Sequence, residues 1–294
     1  MGGNKRVALK PAHGFNLGAV LRRQPRSISV TSGKGGTGKT TLTANLGIAL
    51  ATLGKRVTIL DADLTMANLA LVMGMHQVET SFLDVLKGRA KVKDAIYENY
   101  GVRVIPTGFR FEEAQEALSK SSRARVKQVI QEILSETDFL LIDAPAGIQD
   151  ATLFSIASAR EMLPVCNPTY TSLVDVYKVI RFANVIGAWT RGLVVNRMGK
   201  RTELPPEEIE QFLDRTLGGL PLIAQIPEDP KVQEAELQGT PVVVYEPDSP
   251  ASVAIHELAE VLTGKAEPPY LREPQGLAET TERLVRVLTG AARG

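Results

Sequence analysis

A chain of 294 residues with 44% hydrophobic content is near the upper size of a single core and has ample apolar material to fill it, so one large domain with tails is expected. No apolar run approaches the roughly 18 residues of a membrane span and no signal-peptide pattern opens the chain, which predicts a cytoplasmic protein, at most peripheral on the inner face of a membrane. The net charge of +1 is unevenly spread. Residues 1–26 hold Lys5, Arg6, Lys10, Arg22, Arg23 and Arg26 with no acid, leaving 28 basic against 33 acidic residues elsewhere. This basic N-terminal arm, 1–26, reads either as a contact for lipid or nucleic-acid phosphates or as a solvated extension.

The first element is a short β-rich run at 27–31, followed by a glycine loop and, from 41 to 53, apolar residues at helical spacing. Within the loop, Gly33, Gly38, Lys39 and Thr40 satisfy G-x-x-x-x-G-K-[ST]. Backbone N–H groups of such a loop wrap a phosphate chain, its lysine neutralises the chain, and its hydroxyl holds Mg²⁺. The glycines let the backbone approach the phosphate oxygens, and some need positive φ. A nucleoside triphosphate is therefore the expected ligand.

Gly33, Gly35 and Gly38 also satisfy G-x-G-x-x-G, and the next strand, 57–60, runs into Asp61, about 20 residues on, where a dinucleotide fold keeps its ribose carboxylate. Two features decide against that reading. Lys39 and Thr40 have no pyrophosphate role in that fold, and the strand 139–142 ends in Asp143, the form of a Walker B carboxylate.

Further strands are expected at 102–105, 162–165, 192–195, 222–224 and 242–244, with helical patterns between them at 173–186 and 207–217. The alternation predicts an α/β fold, a mostly parallel, doubly wound P-loop NTPase sheet with helices on both faces, in a single domain spanning 27–264. Residues 265–276, with Pro268, Pro269 and Pro274, read as a linker. Beyond it, 277–294 makes an amphipathic helix: Leu277, Leu284, Val285, Val287 and Leu288 fall on one side, and Glu279, Glu282, Arg283, Arg286 and Arg293 opposite. Cys166, the one cysteine, reads as a small buried hydrophobe, and His13, His76 and His256 lack the spacing of a metal site.

The chemistry follows from these placements. Lys39 is expected at the β and γ phosphates, Thr40 on Mg²⁺ and Asp143 in the outer metal shell. Asp61 and Asp63 lie one alternation apart and suit metal ordering and water positioning, with a helix cap as the competing role for Asp63. Lys34, a second lysine in the loop, is expected to project toward whatever docks there, or to be an exposed lysine tolerated in a turn.

The stretch Lys34-Gly35-Gly36-Thr37-Gly38-Lys39-Thr40-Thr41 resembles the deviant Walker A loop of the MinD/ParA ATPases, and archaeal MinD-like proteins in particular. Residues 61–70 resemble the family's switch I, Asp143-Ala144-Pro145-Ala146-Gly147-Ile148 its switch II, and Val195-Asn196-Arg197 and Ile226-Pro227-Glu228-Asp229 its adenine-side elements. The resemblance implies ATP and Mg²⁺ as ligands, held by Gly33, Lys34, Gly35, Gly36, Thr37, Gly38, Lys39, Thr40, Thr41, Asn196 and Arg197. The metal shell would come from Thr40, Asp61 and Asp143. It further implies an ATP-dependent homodimer in which Lys34 reaches the other subunit's phosphates and Asp63 helps activate water, with an activating protein partner. In MinD proteins such a switch places the division site from the membrane, and 277–294, rather than the arm, takes the place of the membrane-targeting helix. Iron-sulfur carrier relatives use paired cysteines, which a lone Cys166 argues against. Duplex DNA as in ParA, an FlhG-like role suggested by Leu17-Gly18-Ala19-Val20-Leu21-Arg22-Arg23, and a non-hydrolysing scaffold are the alternatives.

Overall fold

The computed structural model describes residues 24–63, 66–107, 120–148, 150–200 and 202–264. Expectations for the arm at 1–23, the linker at 265–276 and the helix at 277–294 fall outside the described residues.

In chain order the elements are β1 (Arg26–Ser32), α1 (Lys39–Thr52), β2 (Val57–Asp61), α2 (Leu69–Val72), α3 (Phe82–Leu86), a 3₁₀ turn (Val92–Ala95), β3 (Tyr97–Asn99) and β4 (Val102–Ile105). There follow α4 (Lys120–Ser135), β5 (Phe139–Asp143), α5 (Asp150–Ser158), β6 (Glu161–Cys166), α6 (Tyr170–Val185), β7 (Trp189–Thr190) and β8 (Leu193–Met198). The chain continues through α7 (Pro206–Leu217), β9 (Leu222–Pro227), α8 (Pro230–Leu237), α9 (Val242–Tyr245) and α10 (Pro250–Leu262). The sheet order is β3-β4-β2-β5-β1-β6-β8-β9, with β7 beside β6, and among the described residues only the β3–β4 pair is antiparallel.

The strand residues alternate between two apolar layers. Ile28, Val30, Ile59 and Leu141 join α1 and α10 in one core; Leu60, Leu140 and Ile142 join α3 and α4 in another. A third core joins Met162, Cys166, Leu193 and Val195 to α6 and α7. Helices thus cover both faces, the solution a parallel sheet requires. Helix α1 is apolar nearly all round because α10 packs over it while it packs on the sheet; ten of its fourteen residues are buried.

One strand expectation fails. Residues 242–244 form the short helix α9 after Pro241, with Val242 and Val243 buried and the Val243 N–H donating to Asn45 Oδ1 of α1 at 3.0 Å. Docking on α1 outweighs the β preference of a valine run. Arg26, counted with the arm by its charge, belongs to β1, where its guanidinium grips both carboxylate oxygens of buried Glu161.

Candidate functional site: a phosphate loop at the carboxyl edge of the sheet

Strand β1 ends at Ser32, and the loop that follows turns over the carboxyl edge before α1 begins at Lys39. Gly36 and Gly38 take φ of 74° and 80°, conformations an L side chain resists, so these two glycines serve the turn itself. Gly33 serves a different purpose. A Cβ there would lie 2.2 Å from the Asp175 carbonyl carbon and 2.4 Å from the Val176 nitrogen, so its missing side chain lets the loop press against the backbone of α6. Phosphate approach, the expected reason for this glycine, is not the constraint the geometry displays.

Two loop lysines have different surroundings. Lys39 is buried, and its ammonium donates to Asp143 Oδ1 at 2.8 Å while Thr40 Oγ1 donates to Asp143 Oδ2 at 2.7 Å. Lys34 is partly exposed on the rim, with its ammonium 3.0 Å from Thr171 Oγ1 in the first turn of α6. The geometry therefore separates an inward lysine from a rim lysine on one loop.

The parallel register of β2 and β5 sets Asp61 directly beside Asp143. Asp61 is fully buried; its Oδ1 accepts the Asp63 N–H at 3.0 Å, and its Oδ2 has no hydrogen-bond partner among the described residues. Burial, and next the neighbouring Asp143, push its carboxyl well above the usual range. A buried, unpartnered carboxylate oxygen beside a second carboxylate and the Thr40 hydroxyl is a donor set that suits a hard divalent cation. Thr37 Oγ1 is likewise buried with no partner among the described residues. Asp63 is only half-buried, and its Oδ1 accepts the Met66 N–H at 2.9 Å. It braces the bend after β2, while the next helix, α2, starts later, at Leu69.

On the other side of the loop a cavity is lined by Gly38, Thr41, Asn196, Arg197, Ile226, Pro227, Val232, Gln233 and Glu236. A β-bulge between Val195 and Met198, with Arg197 at φ 59°, sets Asn196 toward the loop, where its amide donates to the Thr37 carbonyl at 2.8 Å. A Cβ on Gly38 would meet that amide at 2.3 Å. Three participants had no signal in the sequence: Thr171, Glu236, which accepts a 2.5 Å hydrogen bond from Thr41, and the α6 backbone against Gly33. Cys166 is buried in the third core, and burial pushes its thiol up to about 12.

A ParA family model, described as an iron-transfer P-loop NTPase of the NUBPL type, matches residues 24–263. The ATP-binding protein MJ0547 of Methanocaldococcus jannaschii is 44% identical over 240 residues, 81% of this chain and 88% of that protein. The septum site-determining protein MinD of Pyrococcus horikoshii, solved in complex with Mg-ADP, is 40% identical with a TM-score of 0.73, over 81% of this chain and 96% of that one. MinD from the MinC:MinD complex of Aquifex aeolicus is 31% identical with a TM-score of 0.71, over 85% of this chain and 99% of that one. The matches span the loop, both carboxylate strands and the cavity beyond them, and on these grounds the chain belongs to the MinD/ParA family of P-loop ATPases.

Proposed function

We propose that the chain is a MinD-type switch that hydrolyses ATP with Mg²⁺, dimerises when ATP is bound, and in that form binds a membrane surface and a protein partner to position a cellular structure. The observation that carries this reading is the pair of lysines on one loop, Lys39 turned inward to Asp143 and Lys34 held at the rim by Thr171. Phosphoryl transfer to water depends on positioning and charge neutralisation more than on a strong base. In this reading Lys39 neutralises the transferring group, Asp63 orients the water, and Lys34 leaves Thr171 for the phosphates of the second subunit. Thr40, Asp61 and Asp143 hold the Mg²⁺, which supplies charge stabilisation to the phosphates. Asn196 and Arg197 border the adenine.

The relatives support the reading by analogy: one is solved with Mg-ADP and another in complex with MinC. No described helix is long and apolar enough to cross a membrane; surface contact is assigned to the segment 277–294 on the amphipathic pattern of its sequence. The test is Lys34→Ala. It should retain ADP while losing ATP-linked dimerisation in sedimentation and hydrolysis in a phosphate-release assay. A Lys34→Ala protein that dimerises and hydrolyses like the parent rules out the role across the interface.

A further inference from the structure

We propose that α8 is a latched wall of the cavity beside the phosphate loop, and that Glu236, through its hydrogen bond with Thr41, holds this wall closed until the phosphates of a nucleotide displace it. The proposal deepens the reading above and rests on its assignment of the cavity to the nucleoside.

Size is the first constraint. The cavity offers water-sized molecules about 50 Å³ of space. One water needs roughly 10–15 Å³ of such space, so the cavity has room for about three to five waters, against the roughly ten non-hydrogen atoms of a purine base. Its sides must part to admit one. On one side stand Gly38 and Thr41 at the start of α1, and on the other Val232, Gln233 and Glu236 of α8. The two sides are joined directly, because Thr41 Oγ1 donates to Glu236 Oε1 at 2.5 Å.

Helix α8 is pinned at its start and loosely held beyond it. Asp229 Oδ1 accepts the Lys231 N–H at 2.9 Å, and Asp229 Oδ2 accepts the Ala251 N–H of α10 at 3.1 Å. Of the eight residues of α8 only Ala235 is buried, and Leu237 is 87% exposed. Past the helix Gly239, at φ 60°, lies against Gly74 with no side chain to interlock; a Cβ on Gly74 would be 2.4 Å from the Gly239 carbonyl oxygen. Segments with few buried apolar contacts open at low cost. Once Glu236 lets go, α8 can tilt between Asp229 and Gly239.

Charge supplies the release. Glu236 sets a carboxylate beside the loop that is to receive the phosphates, and groups of the same sign repel at this range. Phosphates seated at the loop therefore expel Glu236 from Thr41, and the base follows through the widened cavity. A hydrogen bond to a charged group shifts such an equilibrium by about tenfold or more.

The experiment is stopped-flow binding of fluorescent methylanthraniloyl-ADP with Mg²⁺ to the full chain, comparing the parent with Glu236→Ala and Glu236→Gln. Glu236 is exposed, so both variants should keep the parent's Tm without nucleotide. In the parent the observed rate should level off as the analogue is raised, because opening limits entry. Glu236→Ala should lift that ceiling about tenfold. Glu236→Gln can still accept from Thr41 but is not repelled by phosphate, so its ceiling should stay at or below the parent's. A parent rate that rises in proportion to concentration throughout, matched by Glu236→Ala, would mean that the wall stands open and there is no latch. Unchanged association with faster dissociation in Glu236→Ala would make Glu236 a contact of the bound nucleotide and overturn the proposal. If Glu236→Gln is as fast as Glu236→Ala, charge alone slows entry and the hydrogen bond is no latch. A parent that takes up tripolyphosphate but not the analogue overturns the assignment of the cavity to the nucleoside, and the latch with it.

Discussion

Replacing Gly33 by alanine puts a Cβ 2.2 Å from the Asp175 carbonyl carbon and 2.4 Å from the Val176 nitrogen. Carbon atoms in good contact sit about 3.5–4.0 Å apart, so loop and helix must separate by roughly 1.3 Å or more. Both sides are backbone, one of them inside α6, and no rotamer change relieves the overlap. The cost belongs at the upper end of the overpacking range, about 3 kcal/mol, or a fall in Tm of roughly 6–12 °C for a domain of this size. Gly35→Ala is the control from the same loop: its Cβ would meet nothing within 4 Å, so its effect should stay within about 0.5 kcal/mol. Urea and thermal unfolding without added nucleotide measure both. A loop displaced by about 1 Å should also lose about 100-fold in turnover. If the two variants are equally stable, Gly33 is a phosphate-approach glycine and the packing argument is wrong.

Glu161→Gln leaves Arg26 and Arg191 without their shared counter-charge. It should destabilise the fold by about 3–5 kcal/mol in urea unfolding; a loss under about 1 kcal/mol would mean that solvent already screens the cluster. The hydrogen bond from Arg56 holds the Asp138 carboxyl below the usual range. Because the folded value is depressed, the stabilisation is complete above about pH 4, near the unfolded carboxyl's value, and is lost as pH falls through the folded one. The pair is substantially exposed, so Asp138→Asn should cost under about 1 kcal/mol, and its difference from the parent should shrink toward zero in acid. A difference that does not change with pH would remove the ion pair as its cause.

What the sequence made legible was what is written contiguously. The loop from Gly33 to Thr41 is one short stretch, each carboxylate directly closes its own apolar strand run, and each long strand or helix shows its period within its own residues. What it concealed depends on residues brought together from afar. Gly33 meets α6 more than 140 positions downstream, and the Val242–Tyr245 run becomes a helix because Asn45 of α1 captures its backbone. Strands β3 and β7, of three and two residues, are too short for periodicity to register.

The engagement of Lys39 and Thr40 by a single carboxylate makes ligand entry an exchange reaction. A triphosphate that takes the Lys39 ammonium takes it from Asp143, and leaves a carboxylate facing phosphate oxygens of the same sign. On the proposed reading, Asp143 and Thr40 would hold a divalent cation, whose charge would offset that repulsion. Nucleotide and metal would then be thermodynamically linked: each should raise the affinity of the other by the same factor, and a chelator should weaken ATP binding by that factor and no further.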